Sequence, residues 1–519
     1  MIKKITFLSI LLVFYGYFQS QTPGTLDSSF GIGGKMTSNY FTSQKIYDTA
    51  TQTDGKIVAV GACSTGSNNN KFYAIRFNSN GGIDTSFGSN GFFSLDMSGL
   101  GYNNYAATVE LQPDGKIILG GDVAQNNIGD NYHFGVLRLN VNGTVDTTFG
   151  NQGKSIFSMS SYSSVSNEVR DIALQADGKI IVAGTYYSSP SKDFAVARLN
   201  IDGSLDSDFS NDGKVLIDFT YNSTINDDEA YRIKILNDSR ILIGGDTYGG
   251  STFSDNGAWC MLQPDGSLDS TFGTGGKKTF TTDSNFYFGT CYFLPDNSIL
   301  IGGQYSGNNG DAALYKVSLN GTLDTTFGNN GKVIVDLDNS SSDYDISDLD
   351  IDSTGKIYAV GRTDTGGTSY FYLINFNANG TLNTSFSYDG KVLVNFGASY
   401  NYGNSVSIQP DGKVLLAGYH NSPDTASLAR FNNQSNLNTT EISEQKSFAI
   451  YPNPTTDFFV ISKSEIVDKN QKVEILDETG RIIKTVFITA DNLKIQVSDL
   501  NSGIYYVRLN KNTKKLIIK

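Results

Sequence analysis

The side chains able to do chemistry in this 519-residue chain are mostly acids and tyrosines. Only two histidines are present, His133 and His420, each in a variable segment with no GxSxG-type nucleophile motif beside it. A Ser-His-Asp or Cys-His arrangement is therefore not expected. Neither HExxH nor GxxxxGK[ST] occurs, which removes the usual zinc-protease and phosphate-loop readings. Three cysteines, Cys63, Cys260 and Cys291, leave at most one bridge, with Cys260 to Cys291 the pair to test. With no CxxC, a Cys/His zinc site lacks ligands. Paired carboxylates remain: glycoside hydrolysis needs two acids about 5–10 Å apart. Acids gather at Asp227-Asp228-Glu229 and from Asp338 through Asp350, while Glu110, Glu168 and Glu229 lie in or beside loops of different units. These glutamates read as surface charges, and no catalytic residue is assigned.

The elements that would position such groups are announced by a repeat. LDSSFGIGGK from Leu26 returns as IDTSFGSNGF from Ile83, VDTTFGNQGK from Val145, LDSDFSNDGK from Leu205, LDSTFGTGGK from Leu268, LDTTFGNNGK from Leu323 and LNTSFSYDGK from Leu382. A second phrase, QTDGKIVAVG at Gln52 in its first copy, recurs at Gln112, Gln175, Leu236, Leu294, Asp352 and Gln409. Asp-Gly between apolar runs is a hairpin signal. A third phrase, FYAIRFN at Phe72, FGVLRLN at Phe134 and their kin, is apolar on both alternating faces, as in a strand covered on both sides. Each unit thus holds four short strands: after the GK, before the DGK, after the DGK, and through the FxxxRLN. No helical periodicity is sustained.

Seven such units predict an all-β chain, a seven-bladed β-propeller of four-stranded antiparallel blades. Ring closure would bury both faces of each blade. The recurring Phe30, Phe87, Phe149, Phe209, Phe272, Phe327 and Phe386 are expected to wedge between blades. The recurring Asp27, Asp84, Asp146, Asp206, Asp269 and Asp324, with Asn383, should bond their own turn. Calcium accepts such oxygens, but their spacing matches no ligand loop, so no cofactor is expected. The recurring Arg76, Arg138, Arg198, Lys316 and Arg430, interrupted by Met261 and Asn375, should pair with a repeat carboxylate or reach out from the blade edge.

In an up-down blade successive connections alternate between the faces of the disc. The uniform DGK and LDxxFGxxGK connections therefore share one face, and the variable ones share the other, where recognition usually sits. Tyr40, Tyr102, Tyr105, Tyr162, Tyr221, Tyr287, Tyr344 and Tyr402 are the candidate binding residues of that variable face. Interleaved with Asn, Asp and Ser, they would stack on sugar rings or grip a polypeptide.

These units resemble the delta-60 repeat family of bacterial secreted proteins, from about Gly24 to Asn436. Units four and five depart from it, with Asn237-Asp238-Ser239 and Asp296-Asn297-Ser298 in place of DGK. After a polar linker come FAIYPNPTTDFFVIS, VEILDETGRIIKTV and LNSGIYYVRL with a basic KKLIIK end, read as a small β-sandwich of about seventy residues. Tyr451 to Pro454, Gly480, the block from Leu500 and the basic end make it similar to the type A sorting domain of the type IX secretion system. That resemblance implies a Bacteroidetes-type bacterium and passage through the outer membrane to the surface or medium.

The expected organisation is a signal peptide at 1–21 (two lysines, then an apolar run from Ile5 to Phe18), a propeller at 22–436, a linker at 437–447 and a sorting domain at 448–519. No later stretch is long and apolar enough to span a bilayer. The net charge is −13. The segment from Lys446 carries +4 and the stretch between the leader and Lys446 −19, which argues against nucleic acid as a partner. The expected partners are the secretion machinery, through residues 448–519, and an extracellular carbohydrate or protein. The leading expectation is a non-enzymatic secreted binder. The alternatives are a polysaccharide-active hydrolase or lyase using carboxylates or tyrosines on the variable face, or a structural adhesin.

Overall fold

The computed structural model describes residues 22–433 and 450–519, apart from segments at 67–68, 127–130, 162–165, 189–190, 220–225, 249–254, 284, 309, 338–343, 366, 422, 462–470, 478–480, 489–493 and 510–511. Signal peptide and linker lie outside the described residues, as do Tyr162, Tyr221 and the side chain of Tyr344. Two compact units divide the chain at Asn436 and Leu437.

The first unit is a ring of seven four-stranded antiparallel blades. In blade 1 the strands run Ser43–Thr51, Ile57–Ser64, Lys71–Phe77 and Phe92–Leu95, from innermost to outermost. Blades 2 to 6 begin at Asn104, Ser166, Asp227, Phe286 and Tyr344, and blade 7 at Tyr400. Here the sequence unit and the blade part company. The strand after each GK is not the first strand of its own unit's blade. It is the outer strand of the preceding one, paired with the FxxxRLN strand, as Phe72–Ile75 pairs with Phe92–Leu95. The reason is the reach of the LDxxFGxxGK segment. It is a compact turn in which Phe87 N–H donates to Asp84 and Gly91 N–H to Phe87, so the chain folds straight back on its neighbour. The last blade takes its outer strand, Lys35–Ser38, from the start of the chain, pairing with Ala426–Ala429. The ring is thereby closed by a strand from each end. The two-faced distribution of connections survives, because regrouping strands leaves each connection at its own end.

Alternation in the second strand shows why a blade needs both neighbours. Ile57, Ala59 and Cys63 pack with Leu415, Ala417 and Leu428 of blade 7, while Val58 and Val60 pack with Ala106, Ile117 and Leu119 of blade 2. Each isoleucine, valine or leucine among them, wholly buried, contributes roughly 1.5–3 kcal/mol. The phenylalanine wedge is present. Phe87 is fully buried and its ring lies 2.7 Å from where a Cβ on Gly143, in the next blade, would stand. Phe272 is the partly buried member of the set.

The recurring aspartate and arginine form one staple. Arg138 Nε donates to Asp146 Oδ2 at 2.7 Å, its Nη1 to the Ile201 carbonyl of blade 3 at 2.7 Å, and its guanidinium stacks 4.6 Å over Phe149. Asp146 Oδ1 takes the Thr148 amide and hydroxyl, and Lys116 of the DGK phrase adds a contact at 3.1 Å. Asp27–Arg430, Asp84–Arg76 and Asp206–Arg198 repeat the pattern, with Asp324–Lys316 as a lysine version. In blade 4, where Met261 replaces the arginine, Arg240 reaches Asp269 at 2.9 Å. The Trp259 indole there donates to the Leu319 carbonyl at 2.7 Å. In blade 6 the pair becomes Asn383 donating to Asn375 at 2.6 Å.

The second unit is a sandwich of a three-stranded sheet (Ile450–Tyr451, Phe458–Ile461, Lys494–Gln496) and a four-stranded one (Ile482–Ile488, Gln471–Leu476, Gly503–Leu509, Asn512–Ile518). Phe459, Ile461, Val473, Ile475, Val507 and Leu516 form its core. Cys63, Cys260 and Cys291 are buried free thiols, so the Cys260–Cys291 bridge does not form. Among the described residues no helix is long and apolar enough to cross a membrane.

Candidate active site at the channel mouth

Each blade's innermost strand lines the central channel, and each carries a β-bulge at the same place. The extra residue is Tyr47, Ala107, Arg170, Tyr231, Gly289, Ser347 or Asn404. A bulge re-aims side chains and sharpens twist, here turning consecutive residues toward the axis. The following position is largely structural. Asp48, Asp171 and Asp348 each accept an amide of the next blade's inner strand: Val109 at 2.9 Å, Ile233 at 2.7 Å and Val406 at 2.9 Å. Arg232 donates across the axis to Asp348, so the waist of the channel, a cavity of about 410 Å³, is crossed by an ion pair. Burial pushes Asp48 up to about 6 and Asp171 up to about 7.

Two residues before the bulge, toward the variable-loop face, stands a second ring: Lys45, Tyr105, Glu168, Glu229, Tyr287, Asp345 and Tyr402. Their cross-strand partners are Ala62, Asp122, Thr185, Asp246, Gln304, Arg362 and Tyr419. These form the mouth of the channel, and unlike the staples they differ from blade to blade. Blades 2 to 4 supply the acidic side. Arg170 Nη2 lies 2.9 Å from Glu168 and 3.6 Å from Glu229. Glu229 also accepts from Lys192 and, at 3.3 Å, from the Tyr231 hydroxyl. Burial would raise Glu229, but the Lys192 hydrogen bond and the Arg170 charge outweigh it and hold the carboxyl below its usual range. Asp122 goes the other way, lifted to about 7 by burial and then by the Glu168 charge. Asp246, opposite Glu229, is raised well above the ordinary value by burial, with Asp255 and Glu229 adding to it. Glu229 is thus held below, and its cross-strand neighbour Asp246 above, the ordinary carboxylate range, the kind of split that acid–base chemistry uses.

Blades 5 to 7 supply an aromatic side. Tyr287, Gln304, Asp345, Arg362 and Tyr402 line a cavity of about 420 Å³. Arg362 lies 4.9 Å over the Tyr402 ring, which stacks on Tyr419 at 4.7 Å.

Of the expected tyrosines, Tyr105, Tyr287 and Tyr402 occupy the ring. Tyr40 stacks outside it on Phe92 at 4.2 Å, and Tyr102 lies in the connection entering blade 2, where its carbonyl accepts from Asn104. The surface reading of Glu110, Glu168 and Glu229 is corrected: all three lie on inner strands, because these strands start in the very loops that looked acidic. Glu110 lines the channel and burial pushes it up to about 7. The histidines stand on strands rather than in loops. His420 stacks on Phe396 and shares a 2.7 Å hydrogen bond with Ser427. A signal for the ring existed in the sequence: each member lies seven residues before the first residue of a DGK-type phrase.

Ring and tail together define a class, a secreted repeat propeller bearing a C-terminal export module. Seven segments of the chain, residues 52–87, 112–149, 175–209, 236–272, 294–327, 353–386 and 409–440, match the family described as "domain of unknown function (DUF5122) beta-propeller". Residues 449–519 match the secretion system C-terminal sorting domain, which directs the protein by type IX secretion to the cell surface or extracellular space. Beta-agarase A of Zobellia galactanivorans is 33% identical over 72 residues, 14% of this chain and 13% of that relative. The chain therefore spans about one eighth of that curated protein's length. Among solved structures, the polysaccharide lyase Uly1 aligns with a TM-score of 0.42 at 11% identity, over 75% of this chain and 90% of the lyase. A PL25 ulvan lyase aligns with a TM-score of 0.43 at 10% identity, over 81% and 96%. Beta-agarase A carries an enzyme's name, and the sequence-based expectation of a non-enzymatic chain is withdrawn. The acids of the mouth come from three blades, which is why no local motif announced them.

Proposed function

We propose that the protein is a secreted polysaccharide-degrading enzyme whose chemistry sits at the channel mouth of blades 2 to 4. The observation that carries this reading is the set of carboxylates brought to one end of the channel: Glu168 and Glu229, both within reach of Arg170, with Asp122 and Asp246 at cross-strand positions beside the ring. Glu229 is held ionised by Lys192 and Arg170, while Asp122, lifted to about 7, keeps a proton near neutrality. Asp122 would protonate a glycosidic oxygen and Glu229 would act as the ionised base or nucleophile. Tyr287, 45% exposed, offers a face on which a neighbouring sugar stacks. In the same reading, residues 448–519 engage the secretion machinery and the propeller at 22–436 is the cargo.

The test is release of ends from a panel of polysaccharides by the full chain. New reducing ends without ultraviolet-absorbing product support hydrolysis. Unsaturated ends would instead indicate elimination, for which Tyr231 beside Arg170 is the available base. No release from any polysaccharide in the panel would remove the proposal.

A further inference from the structure

At the junction of blades 3 and 4, on the same face but outside the mouth, three carboxylates converge. Asp193, Asp218 and Asp228 each place an oxygen within 4.8 Å of the other two. They belong to the third strand of blade 3, the residue just after its outer strand, and the start of the inner strand of blade 4. A single parallel bridge, Lys192 to Asp227, joins the two blades here.

The repeat reveals what is unusual. The place of Asp228, three residues before the bulge, holds an amide at four other junctions: Gln44, Asn104, Asn167 and Asn401. At two of them, Asn167 and Asn401, the amide does two jobs. Asn167 Oδ1 accepts the Met159 amide at 3.3 Å, and its Nδ2 donates to the Tyr132 carbonyl of the preceding blade at 2.6 Å. Asn401 likewise accepts from Phe396 at 3.0 Å and donates to the Ser369 carbonyl at 2.7 Å. Asp228 keeps the first job: its Oδ2 accepts the Phe219 amide at 2.6 Å. It cannot do the second. Oδ1 is an acceptor where the repeat needs a donor, and by register the carbonyl at that place is that of Lys192. Asp228 is 0% exposed, and its Oδ1 is buried without a hydrogen-bond partner. An unpartnered carboxylate oxygen in a dry site is costly, and two further acids make it costlier.

We propose that Asp193, Asp218 and Asp228 bind one Ca²⁺ ion that ties blade 3 to blade 4. Calcium is a hard cation bound by oxygens at about 2.3–2.6 Å. Oxygens on opposite sides of one ion are then up to about 5 Å apart, which a 4.8 Å spread accommodates. The ion replaces the missing donor, bridging Oδ1 and the main chain of blade 3. Blade 5 provides an internal contrast: Asp311 and Asp336 stand at the places of Asp193 and Asp218, but Tyr344 stands where the third acid would be. Two acids without the third are not a calcium site.

The test compares the full wild-type chain with Asp228→Asn, which restores the amide used at the other junctions. Both are stripped with chelator, then measured by calcium titration calorimetry and thermal unfolding with CaCl₂, with MgCl₂ as a second arm. The wild type should bind one calcium more per chain than the variant and melt about 2 °C or more higher with calcium. In chelator the variant should melt above the wild type, since its amide supplies the donor. Asp218→Asn, at an exposed position, is the second variant and should lose the same calcium should Asp228→Asn fail to fold. Equal calcium stoichiometry in wild type and variants would overturn the proposal, as would a wild type insensitive to millimolar calcium. A response to magnesium alone would overturn the choice of ion.

Discussion

Replacing Arg138 with methionine tests the inter-blade staple in a way that the protein has already tried once. In blade 2 the change removes three things: the 2.7 Å bond to Asp146, the 2.7 Å bond to the Ile201 carbonyl of blade 3, and the stack over Phe149. Both ions are nearly buried, with side chains 6% exposed each. Breaking a buried pair from one side costs about 3–5 kcal/mol. Lys116, 3.1 Å from Asp146, stays and neutralises part of the remaining charge, so the expected loss is about 3 kcal/mol, at the lower end of that range. Blade 4 carries the same methionine at Met261 and supports it with Arg240 on Asp269 and the Trp259 indole on Leu319. Adding Lys116→Arg to Arg138→Met should therefore recover about 1 kcal/mol, the worth of a restored charged hydrogen bond. Urea unfolding followed by far-ultraviolet circular dichroism measures both. A loss of less than about 1 kcal/mol, the worth of an exposed pair, would refute the staple. A double variant no better than the single would refute the compensation read from blade 4.

Three further outcomes follow from the same geometry. Gly143→Ala should destabilise by roughly 2 kcal/mol or more in the same titration, since φ is +80° and a Cβ would meet the Phe87 ring at 2.7 Å. Glu110 has its folded-state pKa raised to about 7. Its unfolded state then releases the proton first, and stability falls as pH rises from about 4 through 7, by up to about 1.4 kcal/mol per pH unit. Glu110→Gln should flatten that fall, seen as a smaller drop in melting temperature between pH 5 and pH 8, and an unchanged slope would contradict the burial argument. Activity at the mouth should decline above about pH 7 as Asp122 loses its proton. An alkaline limb unchanged in Asp122→Glu would exclude Asp122 as the acid.

The architecture was legible because the chain states it seven times. The DGK and LDxxFGxxGK phrases mark turns whose glycines and acids have local reasons, and the FxxxRLN strand shows its double burial in composition. What the phrases do not carry is partnership. A four-residue strand such as Phe92–Leu95 has no side chain announcing which neighbour it pairs with, so the blade was framed one strand out of step. The mouth was hidden for a different reason. Glu229, Asp122 and Tyr402 are far apart in sequence, and their places around one channel mouth depend on seven strands tilting around one axis and bulging at one level. The position seven residues before each DGK phrase is variable in a region where variability looked like loop. Only the pleat shows that it faces inward. The staple was half legible: a turn role for Asp146 follows from its spacing to Thr148, but the Arg138 contact with Ile201 crosses a blade boundary that sequence does not display.

On the proposed function, catalysis belongs to the varied ring at the channel mouth and not to the uniform face. The most direct measurement is kcat/KM on whichever polysaccharide the full chain cleaves, for Glu229→Gln beside Asp411→Asn, an exposed aspartate of a DGK turn. The account predicts a loss of about 10²-fold or more for Glu229→Gln and wild-type rates for Asp411→Asn, with both variants folded. Equal rates in the two variants would contradict it.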